Sequence, residues 1–94
     1  MTVFLVERNF AEQLNVTPDA ANSINRVNAD VGVQWLISFL SADKKKTYCL
    51  YEAPSVEAIR EAAARAGLPA DVIIEVGAIH PSGEVGDVEP SMFG

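Results

Sequence analysis

The stretch VQWLISFLSADKKKTYCLYE, residues 33–52, decides the fold. Its first eight residues predict a strand from Val33 to Leu40. Val33, Trp35, Ile37 and Phe39 point one way, and Gln34, Leu36, Ser38 and Leu40 point the other. Ser41-Ala42-Asp43-Lys44 reads as a turn, and the Lys44-Lys45-Lys46 run begins the return while keeping the tip soluble. Thr47 to Glu52 contains the β-formers Thr47, Tyr48 and Tyr51 and predicts the partner strand. So short a connection makes the pair an antiparallel hairpin.

Each side of this hairpin carries one helix and one further strand. Upstream, Val3 to Val6 is a continuous apolar run that fits a strand buried on both faces. A polar loop, Asn9 to Val16, leads to Thr17-Pro18-Asp19, which supplies an N-cap, a proline at the first helical position and an acid in the first turn. Ala20, Ile24, Val27 and Val31 form the apolar stripe of that helix, with Asn22, Asn25 and Asn28 on its other side and Gly32 as its stop. Downstream, Ser55 caps a second helix whose buried stripe is Val56, Ile59, Ala63 and Ala66. Gly67 ends it and Pro69 prevents its restart. Val72 to Ile79 predicts the last strand. The order β-α-β-β-α-β is the ferredoxin-like arrangement of an α+β domain, an antiparallel sheet with both helices on one face and the first and third strands central. This domain spans residues 1–79. Residues 80–94, rich in proline, glycine and acid, are expected to be an extended or flexible C-terminal extension, with Met92-Phe93 docking on a neighbouring surface.

A sheet with helices on one side leaves its other side bare, and both alternations of the second strand are largely apolar. One face must therefore meet something other than water, and a homodimer is the simplest answer. Composition narrows the partners further. With 94 residues the chain is one domain, and 49% hydrophobic residues argue against disorder. A net charge of −6 with seven basic residues argues against nucleic acid or an anionic membrane surface. One cysteine excludes an internal disulfide framework. The N-terminal apolar run is too short for a signal peptide and no stretch suits a membrane span, so the expected location is cytoplasmic. The phosphate-loop, G-x-S-x-G, H-E-x-x-H and CxxC motifs are all absent.

The residues with chemistry to offer are few. Trp35, Tyr48 and Tyr51 are candidates for the apolar walls of a pocket between sheet and helices, or they are simply core. Arg8 and Glu52 are candidate polar anchors, or structural partners at strand ends. Asn28 faces either that pocket or solvent. Glu7 and Glu52 close opposite ends of neighbouring strands, which argues against an acid–base carboxylate pair. Cys49 reads as a small buried hydrophobe. His80 is the one histidine, placed just past the last strand, and is the one candidate metal ligand.

The segments FLVERNF (residues 4–10), DKKKTYCLYEAPS (43–55) and EAIREAAARAGLPAD (57–71) resemble a small bacterial family. It is classed largely as a domain of unknown function and is named after a nickel-binding ferredoxin-like member. The resemblance covers roughly residues 2–79 and implies a dimeric α/β-barrel arrangement, which agrees with the bare sheet face. It also implies nickel as a cofactor, although Ala62 to Ala66 stand where some members would place a histidine; no other cofactor is implied. Function varies widely over this superfold. The expectation is a non-catalytic protein that binds a small apolar or aromatic molecule, or a divalent metal. The alternative is a cofactor-independent monooxygenase or isomerase of the dimeric α/β-barrel kind, using Tyr51, Glu52 or His80 as base or donor.

Overall fold

A computed structural model of the chain describes residues 2–93. β1 (Thr2–Asn9), α1 (Pro18–Asp30), β2 (Gln34–Leu40), β3 (Lys46–Ala53), α2 (Val56–Ala66) and β4 (Val72–Glu75) follow one another. After them come a two-residue pair, β5 (Ala78–Ile79) and β6 (Val85–Gly86), and a 3-10 turn at Pro90–Phe93. The main sheet has the order β2-β3-β1-β4 with every neighbouring pair antiparallel. The central position of β1 and β3 is the one expected, and the result is a small α+β fold compatible with the ferredoxin-like arrangement. Among the described residues no helix is long and apolar enough to cross a membrane.

Both helices begin where their caps predict. Thr17 Oγ1 accepts from the Ala20 amide at 3.1 Å, and Ser55 Oγ accepts from the Ala58 amide at 3.2 Å. Gly67 closes α2 in the left-handed conformation, at φ 69°, where a side chain would be strained. The core lies between the sheet and the helices: Phe4 and Val6 of β1, Cys49 and Tyr51 of β3, and Ile59 of α2 are all buried there.

The regular alternation expected for the second strand does not hold. Opposite β3, Trp35 pairs with Tyr51, but the next pair is Ile37 with Leu50, so Leu36 is an extra residue in a β-bulge. The bulge inverts the side-chain sense of the rest of the strand. Trp35, Ser38 and Leu40 consequently share the helix side of the sheet, while Ile37 and Phe39 lie on the open side. There, Ile37, Leu50, Leu5 and Ile74 form one continuous apolar row across all four strands. Phe39 remains 54% exposed and Ile74 49%. An apolar surface is thus left uncovered, as expected, and it carries Ile37 and Phe39 but not Trp35.

Three further differences have local causes. The last predicted strand stops at Glu75 rather than Ile79. Gly77 then packs so closely on the Gly86 carbonyl that a Cβ would sit 2.9 Å from that oxygen, and the chain turns into the separate β5–β6 ribbon. Residues 80–94, expected to be extended or flexible, contain that ribbon's second strand, a buried Val88 and the terminal 3-10 turn. On α1, Ala20 is exposed and Asn28 is buried at 5% exposure. Ile24, Asn28 and Val31 fall at i, i+4 and i+7, so the inward face is set by Ile24 and Val31 and carries the asparagine with it.

A candidate ligand cavity

The bulge at Leu36 sets up a strongly apolar cavity wall. It aligns Trp35, Ser38 and Leu40 of β2 with Tyr51, Cys49 and Thr47 of β3 on the helix side of the sheet. Arg8 of β1 pairs with Thr47 and enters the same layer. Above it α1 packs lightly, with Asn28 as its one buried residue and Ile24 as its contribution to the wall. The space left between is a cavity of about 120 Å³. The loop between β1 and α1 closes one side with Phe10, Leu14 and Val16. This loop is held against the β2–β3 turn by two backbone bonds, Phe10 N–H to the Lys45 carbonyl at 2.8 Å and Leu14 N–H to the Lys44 carbonyl at 2.7 Å. Val16 and Leu40 are exposed and form the rim.

Polar groups in the wall are few and mostly paired with one another. The Trp35 indole N–H donates to Ser38 Oγ at 2.8 Å, and Ser38 Oγ–H donates to Cys49 Sγ at 2.8 Å. The thiol in turn donates to Thr47 Oγ1 at 3.6 Å. Cys49 is thus buried, as a small hydrophobe would be, but it is also a link in a hydrogen-bonded chain along the floor. Arg8 is only 4% exposed. Its Nη1 donates to the Pro69 carbonyl, its Nη2 donates to the Tyr51 hydroxyl at 3.3 Å, and its guanidinium carbon lies 5.7 Å from the centre of the Tyr51 ring. Its Nε–H has no partner among the described residues. Burial, reinforced by Cys49 and only partly offset by Arg8, pushes the Tyr51 hydroxyl above the ordinary tyrosine range. Tyr51 is therefore a neutral hydroxyl at any physiological pH.

Of the six candidate binding residues, the structure brings together Arg8, Trp35 and Tyr51. Tyr48 lies on the open side of the sheet, because β3 alternates regularly, with the Lys46 ammonium 5.8 Å from its ring centre. Glu52 is at the far end of β3, opposite Val3 and Gln34, beside a polar depression shared with Glu75, Asp87 and Glu89. Asn28 is buried with its Nδ2 unpartnered but does not line the cavity. Ser38, Phe10, Leu14 and Leu68 do line it. Their contribution depends on the bulge and on loop docking, for which the sequence has no periodic signal.

His80 lies in the turn of the β5–β6 ribbon, where its N–H donates to the Glu84 carbonyl at 2.8 Å. With Glu84, Asp87 and Glu89 it borders a second, separate depression. Even so, no three His, Cys, Asp or Glu side chains gather into a metal-ligating group among the described residues.

Comparison with known proteins places this architecture among relatives. A family model described as "Nickel responsive protein SCO4226-like" matches residues 4–76, a span that runs from β1 to just past β4 and includes the whole cavity wall. The crystal structure of SCO4226 from Streptomyces coelicolor A3(2) is similar to this chain with a TM-score of 0.66 and 29% sequence identity, over 79% of this chain and 94% of that one. No curated protein matches the chain.

Proposed function

The chain belongs to the SCO4226-like family of nickel-responsive proteins, and from that premise we propose that it is a non-catalytic binding protein holding one small apolar or aromatic molecule between the sheet and α1. The observation that carries this reading is the cavity of about 120 Å³ with Trp35 and Tyr51 in its wall. Its volume is close to that of the cavities of about 150 Å³ that take up a benzene ring. An apolar guest would enter past Val16 and Leu40 and displace little ordered water, since the wall's hydroxyls and thiol are bonded to one another. Among the described residues the wall holds no carboxylate and no imidazole. Chemistry needing a general base therefore has less support than binding.

In the same reading two chains pair through the open sheet face, along the row of Ile37, Leu50, Leu5 and Ile74. Covering such a row removes apolar surface from water at about 25 cal/mol per Å², which favours association. Nickel, implied by the family's description, fits the described chain poorly. It wants several nitrogen or oxygen donors in a defined geometry, and His80 is not part of any such group. No step of this reading runs through the metal.

Native mass spectrometry on tag-free protein, purified without added metal and then mixed with toluene, tests the proposal. The expected spectrum is a dimer that carries one organic guest per chain. A dimer that binds nickel stoichiometrically and takes up no guest overturns the ligand reading, and a monomer overturns the pairing.

A further inference from the structure

We infer that the guest is an anion, a small aromatic or apolar monocarboxylate, with its charged end on Arg8; this rests on the cavity being a binding site. A guanidinium keeps its positive charge in a protein interior, and a buried charge without a counter-charge is strongly disfavoured. Arg8 is such a charge. The two groups it bonds, the Pro69 carbonyl and the Tyr51 hydroxyl, are both neutral. The ion pairs among the described residues are Lys46 with Glu7 and Arg65 with Glu61, neither of which involves Arg8.

The missing acid is notable because the chain has acids in excess, thirteen against seven basic residues. The nearest in sequence is directed elsewhere: Glu7 lies on the opposite face of β1, where it meets Lys46 at 3.6 Å. Asp71, close to Pro69 in the chain, accepts from the Asn9 amide at 2.7 Å. Every other contributor to the cavity wall is uncharged. A counter-charge for Arg8 can therefore be supplied from the cavity.

The chemistry also selects the class of anion. One unpaired positive charge is balanced by one negative charge, so a dianionic phosphate would bring a second, unmatched charge into an apolar space. A carboxylate matches the planar fork of a guanidinium. Among the described residues the Arg8 Nε–H is without a partner, and it is a donor a carboxylate could use. The rest of the wall is apolar and of a size for one ring.

The test compares benzoate, benzamide and toluene on the tag-free full chain. It follows quenching of Trp35, the single tryptophan, which lies in the wall. The expected result is that benzoate binds at least tenfold more tightly than its neutral isostere benzamide, and that Arg8→Met removes this preference while toluene still binds. Binding of toluene with no preference for benzoate overturns the charge assignment and leaves the cavity reading standing. Failure of all three ligands overturns both. The benzoate–benzamide comparison is made on the unaltered protein, so the inference can be refuted even if Arg8→Met does not fold.

Discussion

Trp35 donates its indole N–H to Ser38 Oγ at 2.8 Å although the two residues are three apart on one strand. In regular β-structure residues at i and i+3 point to opposite faces; here the extra residue at Leu36 brings them to the same one. The bond therefore reports the bulge, and the bulge determines which side of the sheet the tryptophan occupies. Ser38→Ala leaves the indole N–H and the Cys49 thiol each short of a partner. It should cost about 1–3 kcal/mol, read as a lower denaturation midpoint together with a changed Trp35 emission spectrum. An unchanged spectrum would mean that the two side chains do not meet.

Ile74 is half-exposed on the open sheet face, at the end of the row formed with Leu5, Leu50 and Ile37. Ile74→Lys places a charge in that row without disturbing the core on the other side. Sedimentation should show the variant shifting to monomer with an unaltered circular dichroism spectrum. A dimer of undiminished affinity would locate the contact elsewhere.

Gly77 is the joint between the main sheet and the β5–β6 ribbon, with the Gly86 carbonyl 2.9 Å from where its Cβ would be. Gly77→Ala should push the ribbon away. In hydrogen exchange the His80 amide, bonded to the Glu84 carbonyl at 2.8 Å, should lose protection, while the β1–β3 ladder keeps its own. Equal loss in both would make the ribbon part of the cooperative fold.

The Tyr51 hydroxyl is held above the ordinary tyrosine range by burial. Its protonated form is thus favoured by folding. The contribution is fully present below the unfolded value of about 10 and is lost as pH rises through the higher folded value. Urea midpoints should fall above about pH 10, and Tyr51→Phe should fall less steeply over the same range despite a lower starting stability. An identical slope in the variant would assign the alkaline loss to other groups.

The sheet order and both helices were legible because their signals are local: Thr17-Pro18 and Ser55 at the helix starts, Gly67 at a helix end, and two β-rich runs around one short turn. The bulge was not, because Leu36 is as apolar as its neighbours and nothing in a run of Trp-Leu-Ile marks which residue is extra. That single residue separates Trp35 from Ile37 and Phe39, the residues it was expected to share a face with, and puts it with Ser38 and Leu40 in the cavity wall. Tyr48 illustrates the converse: three residues from Tyr51 on a regular strand, it lies on the opposite face from it. Arg8 was identifiable as a candidate anchor, but its lack of an acid partner is a tertiary fact. The break at Gly77 likewise depends on the approach of Gly86, nine residues later.

The central claim is that a small molecule occupies the space between the sheet and α1, and intermolecular nuclear Overhauser effects from bound toluene test it most directly. The account predicts contacts to the side chains of Trp35, Tyr51 and Ile24, which line that space. Contacts to Phe39, Leu50 or Ile74 on the open face, or saturating toluene with no contacts at all, would contradict it.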